Sequence, residues 1–176
     1  MLGTNPIAVA IPALNEPPFI ADFATAPIAR GKLDVLHLKN KRAPQGVIQD
    51  KDGFETENPN ILSEGGSIRT LGGDEEHGGH KGYCLSSIVD ILTAVLPGAN
   101  FGPFVVPSLT YRENQKQSKV GKGIGHFFGA IRVDAFRPAN DFKQSMDTWI
   151  QTFRNATPIN PQKKVLIPGD PERSLE

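Results

Sequence analysis

The sequence predicts an α/β fold, with helices layered around a mixed sheet, and three observations carry that expectation. Short β-prone runs stand at Ile7-Ala8-Val9-Ala10-Ile11 and at Phe19-Ile20-Ala21-Asp22-Phe23. Apolar residues recur at three- and four-residue intervals in 27–41, in 83–96 and again from Phe142 to Phe153. Strand-like and helix-like runs therefore alternate along the chain, the pattern expected of helices packed on a sheet. A chain of 176 residues fits one domain, 1–176, and it holds no internal repeat or low-complexity block.

The two opening runs are separated by "PALNEPP", whose prolines and asparagine suit a loop, and both are expected as strands buried on at least one face. The start, "MLGTNPIAVAIPAL", lacks the basic lead and small-residue cleavage site of a secretory signal and reads as strand material from inside a domain. The expectation is thus a truncated chain. Between 27 and 41, Ala29, Leu33 and Leu36 recur beside Arg30, Lys32, Lys39 and Lys41, with Pro27 tolerated in the first turn, which predicts a surface helix. Residues 43–80 are rich in Gly, Pro, Asn, Asp and Glu, with a turn signal at Asp52-Gly53, and predict loop with short strands. Irregular stretches of that length are often functional.

The clearest helix runs over 83–96. Leu85, Ile88, Val89, Leu92, Val95 and Leu96 form one stripe, and Cys84, Ile91 and Ala94 make its flanks apolar, so a central helix is expected, ended by Pro97-Gly98. Burying six such side chains is worth roughly 10–15 kcal/mol gross, against about 1–2 kcal/mol per residue of backbone ordering, which requires packing on both sides. A loop over 98–124 follows, including the polar run "YRENQKQSKVGKG". His126 to Val133 reads as a strand, Asn140 or Asp141 as the cap of a helix with the stripe Phe142, Met146, Trp149, Ile150 and Phe153, and "KKVLIPGDPERSLE" as a last short strand and turn.

Composition narrows the function. Lys+Arg and Asp+Glu balance at 19 each, so no general attraction to nucleic acid or an anionic membrane is expected, and the partner is expected to be small. The single cysteine, Cys84, excludes an internal disulfide and suits a reducing compartment, with cytoplasm as the default. The longest apolar stretch, 88–96, falls far short of the about 20 residues a membrane helix needs.

The chemistry concentrates at "EHGGHKGYC". A helix start offers unpaired N–H groups and a partial positive charge. Gly78, Gly79 and Gly82 expose backbone there and Lys81 adds a full charge, a combination suited to phosphate or carboxylate; the plainer reading is a tight glycine turn beside a solvated lysine. Asp74, Glu75, Glu76, His77 and His80 suggest a metal loop for a hydrolase, but lack the spaced rigid ligands of such sites, and an acidic solvated loop explains the same residues. "GKGIGHFF" fails as a dinucleotide loop because a strand follows it where a helix is required. Asp22, at a strand end before a helix start, fits either a ribose or amide contact or a cap. His37, His126 and Cys84 read as structural.

Taken together, "LGTNPIAVAIP", "FIADFATAPIARGK", "LGGDEEHGGHKGYCLSSIVDILTAVLPGANFGP", "GHFFGAI" and "LIPGDPER" resemble, in order, the malate/L-lactate dehydrogenase family, which includes ureidoglycolate and sulfolactate dehydrogenases. The resemblance implies a sulfolactate-dehydrogenase-like fold rather than a Rossmann fold. It implies hydride transfer between NAD or NADP and a 2-hydroxy or 2-oxo acid, and a homodimer in the full-length form. It carries cofactor contacts onto Asp22, Phe23 and Ala24, onto Lys81, and onto Gly169, Asp170 and Pro171, and it sets Thr4 and Asn5 near the cleft. Cys84 stands where the family usually has glycine. The family is about twice as long, and its Ser-His-Gly segment and proton-donating histidine have no counterpart here. A C-terminal portion of such an enzyme is therefore expected, with no catalytic or metal residue of its own; the alternative is a non-catalytic module that keeps the fold.

Overall fold

A computed structural model describes residues 2–105 and 120–175. The elements, in order, are β1 (Ile7–Ile11), β2 (Phe19–Phe23), α1 (Arg30–Leu38), β3 (Ile48–Gln49), β4 (Ser67–Ile68), α2 (Gly79–Asp90), α3 (Ala139–Arg154) and α4 (Asp170–Arg173). The mixture of helix and strand agrees with the expected class. Among the described residues the strands form two antiparallel pairs: β1 with β2, Val9 opposite Ala21, and β3 with β4, Ile48 opposite Ile68. No helix among the described residues is long and apolar enough to cross a membrane.

The chain divides into two compact units, one of Met1–Pro6 and Ala24–Phe127, the other of Ile7–Phe23 and Phe128–Glu176.

In the first unit, Ile28, Leu33, Ala43, Ile48 and Ile61 make the core, with Leu36, Val47, Leu62 and Ile68 packed against it. Helix α1 fulfils the surface-helix expectation, burying Leu33 alone of its own residues. Gly31 lies in its first turn with open space where a side chain would go. Gly31→Ala is therefore expected to raise stability by about 0.5–1 kcal/mol, measured as a rise in urea midpoint.

Helix α2 departs most from expectation. It begins earlier than predicted and continues as a π-helical turn over Ile91–Val95, where the Leu96 N–H donates to the Ile91 carbonyl at 2.8 Å. Its buried face is Gly79, Gly82, Ser86, Val89 and Asp90, so Val89 of the apolar stripe is buried, whereas Leu85, Ile88, Val95 and Leu96 lie outward, from Leu85 at 40% exposed to Leu96 at 67%. Cys84 is exposed as well, contrary to a packing role. The cause is the identity of the partners. A Cβ on Gly79 would stand 2.5 Å from the Gly73 carbonyl oxygen, and one on Gly82 would stand 2.7 Å from the Leu71 carbonyl carbon and nitrogen, so backbone approaches the helix too closely for larger side chains. Asn5 Nδ2 donates to the Ser86 carbonyl at 2.9 Å and to its hydroxyl at 3.2 Å, and Asp90 accepts from the Gly102 N–H at 3.1 Å. Little of the burial energy expected of the stripe is realised.

The second unit joins the β1–β2 hairpin to α3. Neither strand has a buried residue, so the expected buried face is absent; a two-stranded ribbon has few neighbours to cover it, and Phe19 makes its contact edge-on to Trp149 at 5.5 Å. Asp147 of α3 ties down the loop between the strands, accepting from the N–H groups of Leu14, Asn15 and Glu16 and from Asn15 Nδ2, at 3.0–3.2 Å. Burial alone would raise the Asp147 carboxyl, but the donations from Glu16, Asn15 and Leu14 outweigh it and hold the group below the usual carboxylate range.

Helix α3 is capped by Pro138, not by Asn140 or Asp141, which fall inside its first turn. Ile150 of the predicted stripe is fully buried, whereas Trp149 and Phe153 remain exposed and pack on one another at 4.5 Å. Neither 126–133 nor the tail forms a strand among the described residues; the tail instead ends in the short helix α4. The polar run from Tyr111 to Lys119 lies outside the described residues.

Candidate functional site

The first unit contains an open cleft of about 910 Å³, within the size range of small-molecule sites. Thr4 and Asn5 line it, as do Thr25, Arg30, Arg69 and Tyr83, and among the described residues no aspartate or glutamate does. One wall is assembled by backbone bonds. Thr25, almost wholly buried, donates its N–H to the Thr4 carbonyl at 2.9 Å and its hydroxyl to the Thr4 and Asn5 carbonyls at 3.1 Å. The Leu71 N–H donates to the Thr25 carbonyl at 3.0 Å, which brings in the segment that carries Arg69 and Thr70. The Thr70 hydroxyl donates to the Gly79 carbonyl at 2.9 Å, fixing that segment against α2.

Arginines supply the charge. Arg30 opens α1 and is exposed, with no ion-pair partner among the described residues. Arg69 follows β4, its N–H held by the Val47 carbonyl at 2.9 Å, and its side chain is 10% exposed. With two cations and no acid in its lining, the cleft suits an anionic ligand.

The amino end of α2 is more occupied than its glycines suggest. Gly78, the N-cap, takes φ 85°, a left-handed conformation. The N–H groups of Gly78, Gly79 and Lys81 already donate to the carbonyls of Glu75, Asp74 and Gly78, at 3.1, 2.6 and 2.9 Å. Lys81 itself is exposed and is not part of the cleft lining. In the loop before it, the Asp74 carboxylate accepts from the His77 N–H at 2.8 Å and lies 2.6 Å from His77 Nδ1. The His77 backbone donation, then its ring, holds the Asp74 carboxyl below its usual range. His77 is thus turned to a neighbouring carboxylate in a local turn.

The remaining predicted contacts are divided. Asp22 and Phe23 end β2 in the second unit, both exposed, and Ala24 begins the next stretch of the first. Gly169, with φ 94°, precedes the one-turn helix α4 in the second unit, where the Asp170 carboxylate is engaged. Arg154 grips it with Nε at 3.0 Å and Nη2 at 2.6 Å, Arg173 Nη1 adds 3.2 Å, and the Ile167 N–H another 3.2 Å. Arg154 also reaches Glu16 at 2.5 Å, and Arg173 reaches the Pro18 carbonyl. The Arg154 guanidinium, opposed by burial, holds the Asp170 carboxyl below the carboxylate range. Asp170 is therefore a structural acid, leaving backbone for any ligand contact at that turn.

Sequence reasoning missed Arg69, Arg30 and Tyr83 as cleft residues. Arg69 carried a visible sign, a lone cation between Ile68 and Leu71 in a stretch bounded by glycine pairs, but its burial depends on residues distant in the chain.

Among known proteins, malate dehydrogenase of Pyrococcus horikoshii is 34% identical over 171 residues, covering 97% of this chain and 45% of the relative. The chain thus spans about half the length of the curated relatives it matches. Malate dehydrogenase of Entamoeba histolytica superposes with a TM-score of 0.79 at 31% identity, over 98% of this chain and 47% of that one. Sulfolactate dehydrogenase of Methanocaldococcus jannaschii superposes at 0.73 and 30% identity, over 98% and 45%. The fold is accordingly of the sulfolactate dehydrogenase type. Since the family model for malate/L-lactate dehydrogenase also matches from residue 1 to residue 176, the chain belongs to the malate/L-lactate dehydrogenase family.

Proposed function

We propose that these residues form much of the cofactor-holding part of an NAD- or NADP-dependent dehydrogenase acting on a small 2-hydroxy or 2-oxo acid. The observation that carries this is the cleft, free of acids among the described residues and lined by two arginines and by Thr4 and Asn5 of the Gly-Thr-Asn-Pro block. Both ligands of such an enzyme are anionic, and a guanidinium at the wall with buried donors that make no hydrogen bond fits either. Asp22, Phe23 and Ala24 are proposed as further contacts to the dinucleotide, with the ammonium of Lys81 and the backbone of Gly169, Asp170 and Pro171. When bound, the nicotinamide supplies or accepts the hydride. This chain's residues hold the cofactor and shape the walls.

Reducing a carbonyl also requires an acid placed to protonate the developing alkoxide. The histidine that the resemblance assigns to that task has no counterpart among the 176 residues. The chain by itself is therefore expected to bind NADH or NADPH weakly, by fluorescence titration, and to show no oxidation of either with pyruvate or oxaloacetate. Brisk turnover would refute the missing-acid argument, and failure to bind either dinucleotide would refute the cofactor role.

A further inference from the structure

The guanidinium of Arg69 is an unexplained expense. Its Nε and Nη1 are sealed from solvent and make no hydrogen bond. Glu55 forms an ion pair with it, Oε2 3.6 Å from Nη1 and beyond hydrogen-bond distance, while its Oε1 accepts from the Gly46 N–H at 2.9 Å. Glu55 lies outside the cleft lining, whereas Arg69 is part of it. A guanidinium carries five donors in a planar fork. Burying Nε and Nη1 with their donors unmet is costly, and an apolar side chain of similar volume would fill the same space without the cost. Those donors are met when the side chain, which lines the cleft, turns its fork to an arriving acceptor, and the natural acceptor is an oxyanion with two adjacent oxygens.

We propose that Arg69, assisted by Arg30 at the rim, is the anchor for such an oxyanion in the first unit's cleft, a phosphate or a carboxylate borne by the ligand. This rests on the reading of the cleft as the ligand site and adds a binding residue outside the positions the resemblance assigned. The Arg69 backbone is pinned by Val47 and its neighbour Thr70 by Gly79, so the place of the anchor in the cleft wall is set before binding. Arg30, exposed, contributes attraction more than geometry.

The test follows the Arg69 Nε–H resonance of the ¹⁵N-labelled chain, identified by its absence from Arg69→Met, during separate titrations with inorganic phosphate and L-malate. Movement of that resonance with either anion supports the anchor: phosphate marks a cofactor phosphate as the source, malate the carboxylate of the acid. Arg69→Met is expected to weaken that binding about tenfold or more, and Arg30→Gln about two- to threefold. Without ligand, Arg69→Met should melt no lower than the wild type; if it fails to fold, the wild-type titration decides by perturbation of the single buried arginine signal. An unmoved resonance with both anions, or undiminished binding in Arg69→Met, overturns the proposal. Phosphate binding at Arg69 without dinucleotide binding keeps the anchor and removes the dehydrogenase reading. Dinucleotide binding that leaves Arg69 unmoved by it and by both anions does the reverse.

Discussion

Gly82→Ala is expected to destabilise the first unit by about 3 kcal/mol or more, seen as a fall of roughly 6–12 °C in the melting temperature. Helix propensity alone points the other way, since alanine inside a helix is favoured over glycine by about 1 kcal/mol. Space decides. The added methyl would lie well inside contact distance of the Leu71 carbonyl oxygen and 2.7 Å from the same residue's carbonyl carbon and nitrogen. A side chain in the way would swing aside, but the obstacle is backbone, and Leu71 is itself bonded to Thr25, which is bonded to Thr4. Moving Leu71 therefore moves a wall of the cleft, so anion binding should weaken along with stability. A variant that melts at or above the wild-type temperature would show that α2 does not approach Leu71 this closely.

Asp170→Ala is expected to cost the second unit about 2–4 kcal/mol at neutral pH, because it removes the acceptor that Arg154 and Arg173 share and leaves Arg154 with Glu16 and Arg173 with the Pro18 carbonyl. The pH dependence gives the mechanism its signature. The Asp170 carboxyl is held below its ordinary value when folded, so its contribution is fully present above the unfolded carboxylate value of about 3.9 and is lost as pH falls through the lower folded value. Urea unfolding of the wild type and the variant should thus differ most near neutrality and converge toward about pH 2. Asp147 is shifted in the same direction and remains in both proteins, so both lose stability in acid while the gap between them narrows. A gap constant across that range would mean that the carboxylate's charge contributes nothing.

The elements legible in the sequence were those set by local pattern. β1 and β2 lie where the β-prone runs lie, and α1 and α3 follow their apolar spacing, because each of those signals is contained within a few turns or a few residues. What failed depended on distant partners. The aliphatic stripe of 83–96 correctly marked a helix but, Val89 apart, did not mark its buried side, since the choice was made by Leu71, Gly73, Asp74, Asn5 and Gly102 lying against the small and polar side. His126 to Val133 has strand composition and no described strand beside it. At the site, resemblance located Thr4 and Asn5, which line the cleft. It was silent on Arg69, whose significance is a pair of buried nitrogens that make no hydrogen bond, and no motif spells that. Asp170 shows the opposite difficulty, a residue flagged for a ligand whose side chain is spent on Arg154 and Arg173.

Asp147 and Arg154 stand about two turns apart on one side of α3, with fully buried Ile150 between them, and both reach the same short connection: Asp147 its amides at 14–16, Arg154 the carboxylate of Glu16. A rod pinned at one point can still swivel; pinned at two along its length, it has lost its azimuth as well as its position. The hairpin is thereby indexed to the helix like a key to its notches, and a slip by one turn in either direction would release both pins together.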